Sequence, residues 1–556
     1  MCKHTIMSIK RISATILFLF YAGNLVAQSH QDWTYNLGMY EVNVRQYSTT
    51  GTFQAVTDDL DRIDSLGVGI LWMMPIHPIG QQNRLGSLGS YYSVQDYTGV
   101  NSEFGTFGDF KTLVDSAHAR GLYVIMDWVA NHTSWDNPLT ETNPNWYAKN
   151  NQGEFIPPPG TNWSDVIQLD HSKPGLRNYM IDALNFWVDS AGVDGFRFDA
   201  VSFVPIDFWQ LVLDSLKQNK PDIFLLAEGD GQQFHEAGFH QTFSWGFYGF
   251  DGGVIKRIAD GGANAGSLEA FMATEKQYYR DGNSRLYFTS NHDENSWYGT
   301  PVELFGSAAG VFDVLTHTIN GMPLIYNGEE AGMAKRLAFF DKDVIPWRAH
   351  TNFERFRRLL ELRKRNSALW SGINANYYTR IYTNQNLNIH GFYRSNGTHR
   401  VLVFANLSAT DQTFRTSTES YAGHFTNIFT GVDTTLAGRD TLTLPAWGYL
   451  VFEGSEPTTN SEPERINSAK QFNLKQNYPN PFNPTTTIHF QMPEAGEVRL
   501  EVFDATGRMV EQLTNRVVGA GDHSVFVQAS HLASGIYIYR LSTPWGVQSK
   551  TMLLIK

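Results

Sequence analysis

PGLRNYMIDALNFWVDSAGVDGFRFDA, residues 174–200, carries two periods in succession. As far as Trp187 its apolar residues recur at three- and four-residue intervals, the pattern of an amphipathic helix that opens on Pro174 and stops at Gly192. From Asp194 the period shortens to two. Arg197 and Asp199 then point to one side of a strand, while Phe196 and Phe198 point to the other, toward the helices. A helix followed at once by a short apolar strand is the repeating unit of an α/β fold.

The same unit recurs on both sides. Strand-like runs precede it at MYEVNVRQY (39–47), GILWMMP (69–75) and LYVIMDWV (122–129), and follow it at IFLLAEG (223–229), RLYFTSN (285–291) and PLIYNGEE (323–330). Helical runs such as FGDFKTLVDSAHARG (107–121) fall between them. Repeated β–α units from about residue 34 to 365 predict a parallel sheet covered by helices, either closed as a barrel or doubly wound. No Gly-rich phosphate loop follows the first strand, which argues against a dinucleotide-binding fold. One connection breaks the rhythm: between Val129 and Pro174 lies a long segment rich in Asn, Pro, Gly and Trp, as in a lid or inserted subdomain. After about residue 375 the pattern turns all-β, passes a Ser/Pro/Glu-rich stretch (454–470) that reads as a linker, and ends in short strands that suit a small β-sandwich.

Bulk properties agree. A chain of 556 residues exceeds one core, and 42% hydrophobic with 18% charged residues describes a folded protein. The formal charge of −12 makes nucleic acid an unsuitable partner. Lys10-Arg11, the apolar run Ile12–Val26 and the small Ala27 read as a signal peptide over 1–27, too short for a membrane span, and no later segment is apolar enough to be one. The only cysteine, Cys2, lies in that leader, so the mature chain is expected to have no disulfide.

In a parallel barrel the active site lies at the carboxyl ends of the strands. Asp199 closes one strand, Glu228 another, and Asp293 follows a third. Taken singly, an acid at a strand end is more often a cap on the next helix. Three of them with Arg197, His132 and His292 at successive strand ends point to catalysis instead. Arg197 beside Asp199 is expected to keep that carboxylate ionised, as suits a nucleophile. Leu225, Leu226 and Ala227 ahead of Glu228 are expected to raise its pKa toward that of a general acid.

DWVANH (127–132), GFRFDAV (195–201), AEG (227–229) and SNHDE (290–294), flanked by GSYYSVQDY (89–97) and GMPLIYNGEE (321–330), resemble, in order, the motif blocks of the α-amylase family of glycoside hydrolases. The resemblance spans about residues 34–453. It implies an α/β fold of the (β/α)8 TIM-barrel type over 28–375, an inserted B domain at about 133–173, and an all-β C domain over 376–453. It implies a retaining enzyme with Asp199 as nucleophile, Glu228 as acid/base and Asp293 gripping sugar hydroxyls. Arg197 would orient the nucleophile, His132 and His292 would bond the sugar, Tyr92 would stack beneath it, and Asp127 would support the group. Trp163, Trp297 and Tyr298 suit the cleft and the core equally, and His77 reads as structural.

The chain departs from the family in two places. Ser202 and Phe203 stand where many members have Lys-His, so the leaving-group side is expected to be more apolar. In IQLDH (167–171), Gln168 replaces the acid of a P-D-L-N-Y block. In relatives that acid joins an Asn (here Asn131) and main-chain carbonyls around a structural calcium. No cofactor is therefore expected, and calcium only if Asp165 or Asp170 substitutes.

NYPNPFNPTTTI (477–488), DATGRMV (504–510), SGIYIYRL (534–541) and the final KTMLLIK resemble the type IX secretion sorting domain of two-membraned bacteria, here over 466–556 after a linker at 454–465. The expected whole is a secreted or cell-surface enzyme that reaches the outside through the periplasm and acts on α-glucans such as starch or maltodextrin. Alternatives on the same barrel are an α-glucosidase, a cyclomaltodextrinase or a glucan transglycosylase. A non-catalytic glucan-binding protein is the remote one, because all three acids are present.

Overall fold

The computed structural model describes residues 31–249, 252–279, 282–372, 377–455, 473–477, 479–492, 496–504, 508–519, 521–544 and 546–556. The expected leader with Cys2, and the expected linker from residue 456 onward, lie outside them. Eight parallel strands close into a barrel: β1 (Met39–Val42), β2 (Ile70–Met73), β3 (Tyr123–Trp128), β4 (Gly195–Phe198), β5 (Phe224–Ala227), β6 (Gln241–Phe243), β7 (Ser284–Tyr287) and β8 (Met322–Tyr326). Each pairs with its neighbour in chain order, and β8 returns to β1 through Met39 opposite Leu324. Tyr40 and Arg62 both bond Glu330, at 2.5 and 2.8 Å, which links β1 and the helix after it to the loop after β8.

Five of the strands fall within the expected runs, β7 and β8 begin one residue ahead of theirs, and β6 matches none. Its three residues are too few to display a period. Its neighbours place it, with Gln241 opposite both Leu226 and Ser284. The helix of 174–192 is present as Pro174–Phe186, prolonged by one wider turn, Trp187–Ala191, and ended by Gly192 at φ 77°.

Period-two alternation splits the core. Outward residues such as Val42, Leu71, Met126, Phe196 and Phe198 pack under the helices, where Phe198 meets Trp209 at 5.2 Å between ring centroids. Inward residues fill the barrel. At the amino ends of the strands these are apolar, including Met39, Ile70, Ile125 and Phe224. One step toward the carboxyl ends they become Glu41, Trp72, Asp127 and Arg197, all fully buried. On β1 to β4 the polar groups therefore lie at the upper end of a packed cylinder, while Gln241 and Ser284 bond each other at the amino ends of β6 and β7 (3.2 Å).

Between β3 and β4, His132–Ser134 pairs antiparallel with Val166–Gln168 at the base of the long insert. After the barrel, six antiparallel strands between Thr379–Ile381 and Tyr449–Ser455 form a sheet, accompanied by the pair Gln412–Arg415 and Thr441–Leu444. One face of this sheet (Val401, Val403, Ala405) joins the barrel's core, while the other (Leu402, Phe404) has a core of its own with Phe414 and Tyr421. Its last strand runs to Ser455, just past Gly454. A separate compact unit holds the C-terminal strands in sheets of three and four around Ile488, Leu500, Tyr539 and Leu554.

β4 and β5 approach closely at Gly195, where an added Cβ would lie 2.1 Å from the Phe224 carbonyl oxygen. Gly195→Ala must push these strands apart. We expect it to cost about 3 kcal/mol of stability, read by denaturant unfolding, with a loss of activity from any folded fraction.

Candidate active site

The ladder hydrogen bonds continue one residue beyond the strands and so fix the acids. The Asp199 N–H donates to the Trp128 carbonyl (2.9 Å), and the Glu228 N–H donates to that of Phe198 (3.0 Å). Both side chains thereby continue the inward rows of β4 and β5, above Arg197 and Leu226.

Arg197 organises the group. Its Nη1 donates to Asp127 Oδ1 (2.8 Å) and Asp199 Oδ1 (3.0 Å), and its Nη2 lies 2.9 Å from Glu228 Oε1. That last contact lacks hydrogen-bond alignment, so charge holds it rather than direction. Glu228 Oε2 accepts a 2.6 Å bond from the N–H of Ala200. Ala200 itself sits at φ 45°, a left-handed conformation that costs a non-glycine residue about 1–3 kcal/mol.

Arg197 favours the ionised form of Asp199, as expected, but burial outweighs it. Burial pushes the Asp199 pKa up to about 6, because a single guanidinium is divided among three carboxylates and Asp127 and Asp293 add repulsion. Burial likewise raises Asp127 to about 6. Glu228 rises to about 7, as expected in direction, from burial and then the charges of Asp199 and Asp293.

A second row sits beside this one. The Tyr92 hydroxyl lies 3.1 Å from Asp127 Oδ2 and 2.7 Å from His292 Nε2, and its ring stacks on His292 at 5.4 Å. His292 also meets Asp293 (3.3 Å) through Nε2 and Glu41 (2.5 Å) through Nδ1. Burial disfavours its charge, but Asp293 and Glu41 outweigh that and hold it protonated. Asp293 is in turn kept below the usual carboxylate range: burial opposes this, and His292, Arg197 and a bond from Trp297 overcome it. His132 is buried and neutral, its pKa pushed down to about 3 by burial, with its ring 5.4 Å from Trp163. All eight expected site residues therefore meet at one end of the barrel.

The aromatic residues divide. His77 is buried against Tyr97, Trp128 and Trp187, as a structural histidine would be. Phe203 is 49% exposed, and its ring lies 5.6 Å from Trp163, which makes an apolar pair shortly after Ala200. Trp297 and Tyr298 are half exposed; Trp297 lies 5.2 Å from Phe339, which stacks on Tyr92 at 6.3 Å. Glu41, Trp72 and Phe339 are members the sequence reading missed. Glu41 and Trp72, whose indole donates to Asp127 (3.2 Å), were findable as polar-capable residues on the inward face of their strands. Phe339 lies in a loop with no periodic signal. No group of three His, Cys, Asp or Glu side chains among the described residues is placed to hold a metal ion.

Comparison with known proteins matches residues 34–244 to the alpha amylase catalytic domain and residues 476–556 to the secretion system C-terminal sorting domain. Alpha-amylase 3 of Dictyoglomus thermophilum is 26% identical over 58% of this chain and 70% of its own length. A cyclomaltodextrin glucanotransferase of Bacillus sp. strain 1-1 is 24% identical over 90% of this chain and 74% of its own. Among solved structures, a maltogenic alpha-amylase from Thermotoga neapolitana superposes with a TM-score of 0.69 at 26% identity, over 76% of this chain and all of the other. No helix among the described residues is long and apolar enough to cross a membrane. With a closed eightfold barrel, acids at its strand ends and a match over residues 34–244, the chain carries an alpha amylase catalytic domain, followed by a sorting tail that implies secretion or surface display.

Proposed function

We propose that this protein is a secreted hydrolase that cleaves α-1,4-glucosidic bonds with retention of configuration. The observation that carries the reading is the pair of carboxylates, Asp199 and Glu228, on adjacent strand ends and drawn to opposite arms of one guanidinium. That arrangement suits the ~5 Å separation of a double displacement better than the ~8 Å of direct attack by water. Arg197 binds Oδ1 of Asp199, which leaves Oδ2 to attack the anomeric carbon. As that bond forms, the glycosidic bond breaks, and Glu228 gives its proton to the departing oxygen. Water then attacks the same carbon, loses its proton to Glu228 and releases Asp199. Asp293, kept ionised by His292, is placed to take the hydroxyls of the distorted sugar, and Tyr92 to lie under its ring.

Asp199→Asn and Glu228→Gln each test this. Asp199→Asn should lower turnover of maltodextrin at least about 10⁴-fold without lowering the melting temperature, because Arg197 keeps two carboxylates. Glu228→Gln should lose glucan hydrolysis yet still form a glycosyl-enzyme from a substrate with a good leaving group. In the unaltered enzyme Asp199 must be ionised and Glu228 protonated, so kcat/KM should rise through about pH 6 and fall through about pH 7. Near-normal activity in either folded variant would overturn the assignment.

One observation favours transfer to sugars as a second activity of the same site. The Trp163–Phe203 pair lies past Ala200, whose amide holds Glu228, and so faces the side where a leaving or accepting sugar binds. A flat aromatic surface retains the apolar face of a sugar and lets it compete with water. Phe203→Ala should cut the ratio of transfer to hydrolysis on maltotriose about fivefold, while glycosylation by an aryl glucoside changes little. An unchanged product ratio would count against that role.

The C-terminal unit is proposed as the signal read by the type IX machinery after passage through the periplasm. Removing residues after Thr458, the boundary of the first compact unit, should leave glucan hydrolysis intact and strand the enzyme in the periplasm of its native host. Weakened binding to insoluble starch would identify the unit as a carbohydrate binder instead.

A further inference from the structure

At the base of the insert, three oxygen acceptors converge on one side-chain nitrogen. Gln168 Nε2 donates to Asn131 Oδ1 (2.9 Å), the Asn131 carbonyl (3.1 Å) and the Leu169 carbonyl (3.0 Å). The amide cannot be turned over, since its own oxygen would then face three acceptors. Nor can Asn131, whose Nδ2 is engaged with His132 Nδ1 (3.2 Å). Asn131 is fully buried three residues past β3, whereas Gln168 and Leu169 belong to the insert, so this one nitrogen ties the insert to the barrel beside His132.

A convergence of oxygens from two chain segments is what a hard cation requires, and the family resemblance implies calcium here. The residues present do not fit it. The centre of the cluster is filled by Nε2, and the three surrounding oxygens are neutral. The nearby carboxylate of Asp170 is committed to the Ser172 amide (3.0 Å) and to Lys173 (3.0 Å). Asp165 is buried, and the oxygens that meet Nε2 belong to Asn131 and Leu169 rather than to it.

We infer that the Gln168 amide is a covalently attached stand-in for the cation, and that the insert docks without a metal. The two N–H groups supply the positive charge that the oxygens face, and being part of the chain they cannot be removed by a chelator. The inverse follows. Gln168→Asp is one methylene shorter, so it vacates the space of Nε2, and it adds a negative oxygen to the three already there, which creates a cation site.

The test is thermal unfolding of the full chain in excess EDTA and in millimolar calcium, a readout independent of the reaction catalysed. The unaltered protein should melt within about 1 °C in both; a fall of several degrees in EDTA, recovered with calcium, overturns the inference. Gln168→Asp should melt lower than the unaltered protein in EDTA and gain about 5 °C or more with calcium. A variant that does not respond to calcium overturns it too. Should Gln168→Asp fail to fold in EDTA, recovery with calcium supports the inference. Failure under both conditions passes the decision to Gln168→Glu, which keeps the chain length and is expected to show the same calcium dependence. Failure of that variant to respond overturns the inference.

Discussion

One guanidinium held against three carboxylates is the interaction on which this active site depends. Arg197 is fully enclosed by the barrel, where an isolated charge would be strongly disfavoured, and Asp127, Asp199 and Glu228 compensate it. The compensation is uneven by construction. A single positive charge cannot satisfy three negative ones, so burial prevails at each acid and lifts its pKa toward neutrality. Two carboxylates poised close to one another, one to be ionised and one protonated, are what acid-assisted nucleophilic displacement needs.

The barrel makes this imbalance tolerable. Its interior is apolar from Met39 and Ile70 up to Leu226, and on β1 to β4 the polar layer begins where Trp72 meets Asp127. At the amino ends of β6 and β7 the buried Gln241 and Ser284 bond each other (3.2 Å). At the carboxyl ends each acid is anchored by main-chain bonds that extend the strand ladder. The strain at Ala200 falls where the chain leaves the barrel, at the residue whose amide bonds Glu228.

The groups around this centre carry charge in pairs rather than in excess. His292 is protonated because Glu41 and Asp293 flank it, and that cation in turn holds Asp293 ionised. His132, with no acid beside it, is neutral. Two histidines at similar positions on the rim thus differ in charge through their neighbours alone. The same economy appears at the insert, where an amide serves a junction of neutral oxygens.

Much of this was legible in the sequence, for identifiable reasons. Alternation in FRFDA placed Arg197 and Asp199 on one face, and the acids that end β4 and β5 or follow β7 marked the functional end. β6 was not legible: three residues carry no period, and only bonding to β5 and β7 makes them a strand. Glu41 was passed over because its partner, His292, lies 251 residues away in the chain. The net rise of the Asp199 pKa was not legible for a related reason. Sequence shows an arginine two residues away, whereas the sharing of that arginine with Asp127 and Glu228 exists only once β3, β4 and β5 stand side by side. Local periods, strand ends and the chemical identity of the acids are written along the chain, because they depend on neighbours in sequence. Which acid shares which cation, and which histidine is charged, follows from the fold, because burial and Coulomb interactions depend on neighbours in space.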